Sequence, residues 1–151
     1  MSNRSFQLSR FLPYRLAQLS KLVSDDFSEL YKASEGLTVA QWRLLANLSE
    51  RYPLTAQDLV ETAQLDKSKV SRALSGLLQR QLIVREKHPQ DTRANMHRPT
   101  EQGLAMYARI CQRAQDWEQQ SLAHLSSQEY EQLLQLMDKV SKGIKQRDGI
   151  I

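Results

Sequence analysis

The chain has 151 residues, 40% of them hydrophobic and 25% charged, with only five Gly and four Pro, a balance that excludes a disordered polymer and suits helices better than many short strands. Its net charge of +4 permits an anionic partner. A single cysteine, Cys111, excludes an internal disulfide and any multi-cysteine zinc site, and no apolar run approaches the ~18 residues of a membrane span.

From Leu12 the apolar residues recur at 12, 16, 19, 23, 27 and 30, the spacing of one helix face. Pro13 suits the first turn of that helix and Gly36 its end. Phe11, Tyr14, Leu22 and Tyr31 add apolar surface on its other faces, more than its own lobe would cover. The next four helix starts share one grammar. Thr38, Thr55, Asp66 and Ser126 read as N-caps, preceded by Leu37, Leu54, Leu65 and Leu125 and followed by Trp42, Leu59, Val70 and Tyr130, a repeated hydrophobic staple. Thr38 with Gln41, and Ser126 with Glu129, complete capping boxes. The predicted helices are 12–35, 38–51, 55–63, 66–80, 101–123 and 126–145. Between the fourth and fifth, Leu82–Lys87 and Ala94–Arg98 flank a Pro/Asp-containing turn and predict a hairpin. The N-terminal MSNRSFQLSRFLPYR lacks the apolar core of a signal peptide, so the expected location is cytoplasmic.

Two short helices, a brief turn and a basic hairpin make a winged helix-turn-helix. The expected fold is therefore mainly α with a small β-hairpin wing, in a single chain over 1–151. The DNA-binding lobe would span 38–100, with helices 55–63 and 66–80 and the wing at 82–99. Residues 8–36 and 101–147 would supply the dimerisation helices. On helix 66–80, Val70, Ala73, Leu74, Leu77 and Leu78 form an inward stripe. Opposite them lie Ser68, Arg72, Ser75 and Gln79, flanked by Lys69 and Ser71. No acid occurs from Lys67 to Arg85. The stretch from Lys67 to Arg98 holds eight Lys/Arg against Glu86 and Asp91, so it is +6 while the remainder sums to −2.

That helix suits a major groove. Arg72 can donate twice to guanine, small serines allow close approach, and Lys69 can anchor on phosphate. At the hairpin tip Arg93 suits a narrow minor groove, with Asp91 two residues back to orient basic side chains. His88 and His97 are expected to face phosphate from the wing. The expected DNA-binding set is Thr55, Lys67, Ser68, Lys69, Ser71, Arg72, Ser75, Lys87, His88, Asp91 and Arg93; the alternative for the helix is an ordinary basic, solvated face.

The run Leu54-Thr55, Asp58-Leu59, Leu65-Asp66-Lys67-Ser68-Lys69-Val70-Ser71-Arg72, Leu77-Leu78, Leu82-Ile83, Arg85, Asp91-Thr92-Arg93 and Thr100-Glu101-Gln102-Gly103 resembles the MarR family of bacterial regulators. The D-x-R wing followed by T-x-x-G at the start of a long helix is its most distinctive part. The resemblance implies a homodimer on palindromic DNA, interlocked terminal helices and small ligands, often aromatic or phenolic acids, that relieve repression. It places recognition contacts on Ser68, Lys69, Ser71 and Arg72 and the wing contact on Arg93. The sequence departs from the pattern at Gln64 and Gln81, where the family has Gly; at Gln81 the turn must take a costlier left-handed residue or another shape. Pro99 lacks a ladder N–H and predicts that the second wing strand is a short edge.

The dimer also follows from the helices. The first would be ~36 Å long, and the last carries Tyr130, Leu133, Leu134, Met137, Val140 and Ile144 on one face; a second copy could bury both. Cys111, among Leu104, Tyr107, Ala114 and Trp117, is expected to pack in the core. Trp42 and Trp117 are read as core, with Trp42 also placed to touch an effector. His88, His97 and His124 show no metal-ligand spacing, and no cofactor is expected. With no phosphate loop, nucleophile elbow or Cys–His pair, the chain does not read as an enzyme. A winged-helix protein-interaction module is the rival reading, and it predicts apolar or acidic residues where Lys69 and Arg72 stand.

Overall fold

The computed structural model describes residues 6–147 and 149; residues 1–5, 148, 150 and 151 of the chain-wide 1–151 assignment lie outside the described residues. A short 3-10 turn, Leu8–Arg10, precedes α1 (Leu12–Glu35) and α2 (Val39–Arg51). Then come β1 (Leu54–Thr55), α3 (Ala56–Ala63), α4 (Lys67–Gln79), β2 (Ile83–Lys87), β3 (Asn95–Pro99), α5 (Glu101–Ser121) and α6 (Ser127–Arg147). The fold is mainly helical with one small antiparallel sheet, and each predicted helix is present with its ends shifted by at most two residues.

The helix ends follow from local hydrogen bonds. Thr38 Oγ1 accepts from the Gln41 N–H at 3.1 Å while Gln41 Oε1 accepts from the Thr38 N–H at 3.0 Å. Ser126 and Glu129 repeat that box at 3.2 and 2.8 Å. A third box joins Thr55 and Asp58, at 3.1 and 2.8 Å. The shorter Asp stands there in place of the usual Glu or Gln. Asp66 caps α4 by accepting from the Lys69 N–H at 2.8 Å. Such caps are each worth ~1 kcal/mol.

Gly36 ends α1 in the left-handed region at φ 67°. Gln64 and Gln81 take the same region, at φ 53° and 56°, where a side chain costs roughly 1–2 kcal/mol. Both glutamine turns keep the shape that glycine would give. After α4 the Leu82 N–H reaches the Leu77 carbonyl and the Gln81 N–H the Leu78 carbonyl, both at 3.0 Å, the paired bonds of a Schellman end. The Gln81 carbonyl also accepts from Thr100 Oγ1 at 2.8 Å.

The sheet has the order β1-β3-β2, so the second wing strand lies in the middle and is not the edge that Pro99 predicted. β1 was not expected, because two residues carry no readable period. It pairs Leu54 with His97 and Thr55 with Met96, whereas β2 pairs Ile83 with Pro99 through Lys87 with Asn95. Pro99 is tolerated because of where its nitrogen faces. The Thr100 N–H reaches the Leu82 carbonyl and the His88 N–H the Ala94 carbonyl. By alternation the odd residues of β3 face β1, which has already ended beside Pro99.

The chain divides into two compact units, one ending at Ala114 and one starting at Gln115. The first holds a core of Leu44, Leu45 and Leu48 from α2, Leu59 from α3, Val70, Ala73, Leu74 and Leu77 from α4, and Leu82 and Ile83 beside the wing. Tyr31 from α1 and Met106 and Ile110 from α5 join it. Full burial of each such Leu or Ile contributes about 1.5–3 kcal/mol. Gly103 makes the close join between wing and α5: a Cβ there would lie 2.0 Å from the Leu82 carbonyl oxygen. In the second unit, Tyr130 donates to Glu118 at 2.7 Å across the turn between α5 and α6, and α6 has no buried residue. Among the described residues, no helix is long and apolar enough to cross a membrane.

Candidate nucleic-acid interface

The two faces predicted for the recognition helix are the faces α4 presents. Val70, Ala73, Leu74 and Leu77 are buried, while Lys67, Ser68, Lys69, Ser71, Arg72, Ser75 and Gln79 are exposed. Arg72 makes no hydrogen bond among the described residues, so its donors are free for a ligand. Lys69 Nζ lies 3.5 Å from an Asp66 oxygen. The Lys69 backbone N–H is the main cause that holds the Asp66 carboxyl below its usual value. This acid at the head of α4 is thus engaged in capping. The Ser75 hydroxyl donates to the Ser71 carbonyl at 3.1 Å and keeps its acceptor positions open.

The wing tip is shaped by its own side chains. His88 Nδ1 accepts from the Gln90 and Asp91 N–H groups at 3.1 Å each, and Asp91 Oδ1 accepts from the Arg93 N–H at 2.9 Å. Asp91 therefore folds the loop through the backbone of Arg93, where an orienting role toward basic side chains was expected. Lys87 and Arg93 are exposed. Thr55 gives its hydroxyl proton to Asp58 Oδ2 at 2.7 Å, and these Thr55 bonds hold the Asp58 carboxyl below its ordinary range. Thr55, His88, Asp91 and Arg93 line one groove of about 470 Å³ beside the start of α3. Lys67, Ser71 and Ser75 line another, about 290 Å³, together with Gln57, Arg85, Asn95 and His97.

His97 departs from expectation. It is 5% exposed and so does not face phosphate from the wing surface. Gln57, Arg85 and Asn95 are groove residues outside the expected set. A signal for two of them was present in the period of two: from Ile83, alternation puts Arg85 and Lys87 on one face, and register places His97 and Asn95 opposite them. Two cations of the basic stretch are engaged elsewhere. Arg98 pairs with Glu86 at 2.6 Å, and Arg80 donates to the carbonyls of Glu35 and Gly36 at 2.8 and 3.2 Å. Glu35 in turn meets Arg109 through two 3.1 Å bonds, the leading cause of its lowered carboxyl pKa.

Trp42 is half-buried and stacks between Tyr31 and Tyr107, with ring centroids 5.5 and 5.9 Å away. Tyr107 donates to Glu50 at 2.8 Å, and burial, with the neighbouring Cys111 and Glu50, raises its phenol pKa so that it stays a donor. Cys111 is half-buried beside that phenol, a shallower place than the core position expected. Among the described residues, no three His, Cys, Asp or Glu side chains group as a metal ion requires.

A family model described as the MarR family matches residues 35–94. The chain is 29% identical over 111 residues to the HTH-type transcriptional regulator YxaD of Bacillus subtilis, covering 74% of this chain and 78% of that protein. It superposes on a MarR family regulator from Silicibacter pomeroyi with a TM-score of 0.77 at 26% identity, covering 91% of this chain and 92% of that one. It also matches the PcaV transcriptional regulator from Streptomyces coelicolor, solved in complex with its natural ligand. There the TM-score is 0.73 at 25% identity, over 91% of this chain and 96% of the other. These relatives are transcriptional regulators, not enzymes.

Proposed function

We propose that the chain is a winged-helix transcriptional regulator of the MarR type, a homodimeric repressor that reads a palindromic DNA operator and is released by a small aromatic ligand. One observation carries the DNA reading. The exposed face of α4 offers a free guanidinium at Arg72, small hydroxyls at Ser68, Ser71 and Ser75, and cations at Lys67 and Lys69. Such a helix can enter a major groove about 12 Å wide, and Arg paired with guanine is the commonest specific contact there. Lys87, His88 and Arg93 on the wing reach the flanking backbone and minor groove, where a narrow A·T-rich groove attracts a guanidinium. Thr55 and Asp91 support this surface by fixing the start of α3 and the wing loop. The rival protein-interaction reading predicts apolar or acidic residues on this face, and Arg72 and Lys69 stand there.

The ligand part rests on two supports. Trp42 lies in an aromatic cluster with Phe27, Tyr31 and Tyr107, and PcaV, similar in fold, is known with a natural ligand. The test is competition binding of the full chain to an imperfect palindrome beside its gene, against base-substituted copies. The same assay with a panel of aromatic acids, read also by tryptophan fluorescence, examines release. Arg72→Ala and Arg93→Ala variants that both hold the operator as tightly as the parent would sink the proposed DNA-reading surface.

A further inference from the structure

His97 lies in β3, in register with Leu54 of β1 on one side and Arg85 of β2 on the other. It is 5% exposed, and its Nδ1 is buried without a hydrogen-bond partner. A buried polar atom left unpaired costs about 1–3 kcal/mol, and few native positions carry one. The ring lines both grooves of the interface, so it stands where the wing, β1, α3 and α4 meet.

We infer that His97 is a positioning residue that seats the wing only as the neutral imidazole, so that acidification frees the wing and weakens the hold on DNA. The inference rests on the DNA-binding reading above and adds a form of regulation to it.

The charges around the ring all bear on this. Arg85 faces it from β2, and Lys67 of α4 lines the same groove, where α3 contributes the neutral Gln57. On the wing side stand His88, Asp91 and Arg93. The nearby carboxylates are engaged: Asp91 accepts from the Arg93 N–H, and Asp58 is held by Thr55. Protonating Nδ1 would therefore add a cation beside Arg85 in a buried place. Burial pushes the ring below its ordinary 6.5, the Leu54 backbone pulls the other way, and Arg85 adds to the depression. The ring escapes the conflict by leaving its seat. The two-residue pairing of β1 with β3 is the shortest in the sheet, so opening costs least there. That opening moves the wing and Arg93 with it.

The sign follows from linkage. The seated, neutral form is fully favoured above 6.5, the value of a freed ring. It loses ground as the pH falls from there through the lowered folded value, by at most roughly tenfold per pH unit within that window. A surface imidazole acts oppositely, because its protonation adds positive charge against phosphate. Acid weakening is thus a distinctive signature.

The test measures operator affinity by fluorescence anisotropy at fixed salt, at about pH 7.5 and about pH 5.5. The parent is expected to lose affinity in acid, up to roughly tenfold, and His97→Gln to hold its affinity. His124→Gln, outside the proposed surface, should keep the parent's acid loss. NMR of the imidazole Cε1–H groups in the parent supplies a second reading that needs no variant. His97 should titrate below 6.5 and wing amides should shift with the same midpoint. The inference is overturned if parent affinity is flat or rises in acid, if His97→Gln keeps the loss, or if His97 titrates at or above 6.5. A chain that binds no DNA even at neutral pH defeats the DNA reading instead, and the NMR midpoint still judges the seat of the wing.

Discussion

Arg72 and Lys69 stand three residues apart on α4 yet hold different positions, and their substitution separates base reading from phosphate anchoring. Arg72 is exposed with its donors free, so Arg72→Ala should cost ~1–3 kcal/mol on the specific site and relax discrimination at one base pair per half-site. Lys69 shares its charge with Asp66 at 3.5 Å. Lys69→Ala should weaken all sequences alike and flatten the salt dependence, since it removes a phosphate contact without a base contact. Competition binding at two salt concentrations distinguishes them; identical sequence profiles for the two variants would refute the assignment. Asp58 tests a cap. Its carboxyl is held below its ordinary 3.8 first by the Thr55 backbone and then by the Thr55 hydroxyl. A depressed carboxyl stabilises the fold above its unfolded value, and that contribution drains as the pH falls through the lowered folded value. Asp58→Asn should therefore lower the thermal midpoint at neutral pH, and the gap from the parent should close in strong acid. A gap that is constant with pH would show that the charge is irrelevant to the cap.

At the scale of elements, two glycines make opposite demands. A Cβ at Gly103 would meet the Leu82 carbonyl oxygen at 2.0 Å and carbon at 3.0 Å, backbone that begins the wing and cannot turn aside. The T-x-x-G motif thus has a geometric reason: the Thr100 N–H bonds the Leu82 carbonyl at 3.0 Å, its hydroxyl receives the Gly103 N–H at 3.0 Å, and α5 starts pressed on the wing. Gly103→Ala should cost about 1–3 kcal/mol, as overpacking does, and reduce DNA binding by displacing β2. A Cβ at Gly76 in α4 would meet only the end of the Gln41 side chain, at 2.3 Å. That amide can move, at the loss of its bond to the Thr38 N–H, while Ala gains about 1 kcal/mol of helix propensity. Gly76→Ala should be close to neutral. Chemical denaturation of both variants checks this, and equal losses would contradict the account. Arg80 adds a third tie, from the end of α4 to the last carbonyls of α1.

For the whole molecule, the apolar surface left over is the guide. In α1, Leu12, Leu16, Leu19, Leu22 and Val23 are 40% or more exposed, and Tyr31 is buried near the other end. In α6, Leu133, Leu134, Met137, Val140 and Ile144 are 38–50% exposed. Each face lines up several exposed apolar side chains at helical spacing, and a second copy is the simplest cover. Leu133→Asp with Met137→Asp should break the proposed dimer, because charge in an apolar seam costs several kcal/mol. Light scattering that finds the unmodified chain to be a stable, folded monomer would refute the dimer.

What the sequence determined by itself was local. The helix bounds were legible because Thr38, Thr55, Asp66 and Ser126 mark them with side chains that satisfy nearby N–H groups. The division of α4 into a core stripe and an exposed basic face was legible because one period of 3.6 fixes both. The third strand was not legible, since Leu54 and Thr55 become a strand only by meeting Met96 and His97, more than forty residues on. The same pairing moved Pro99 from a presumed edge to the middle strand, where it fits because β1 ends before reaching it. It also took His97 from the wing surface into the interior and left its Nδ1 unpaired. A side chain's composition and spacing report what it can bond; which groups reach it is decided by contacts between distant segments, and those exist only once the sheet and core have closed.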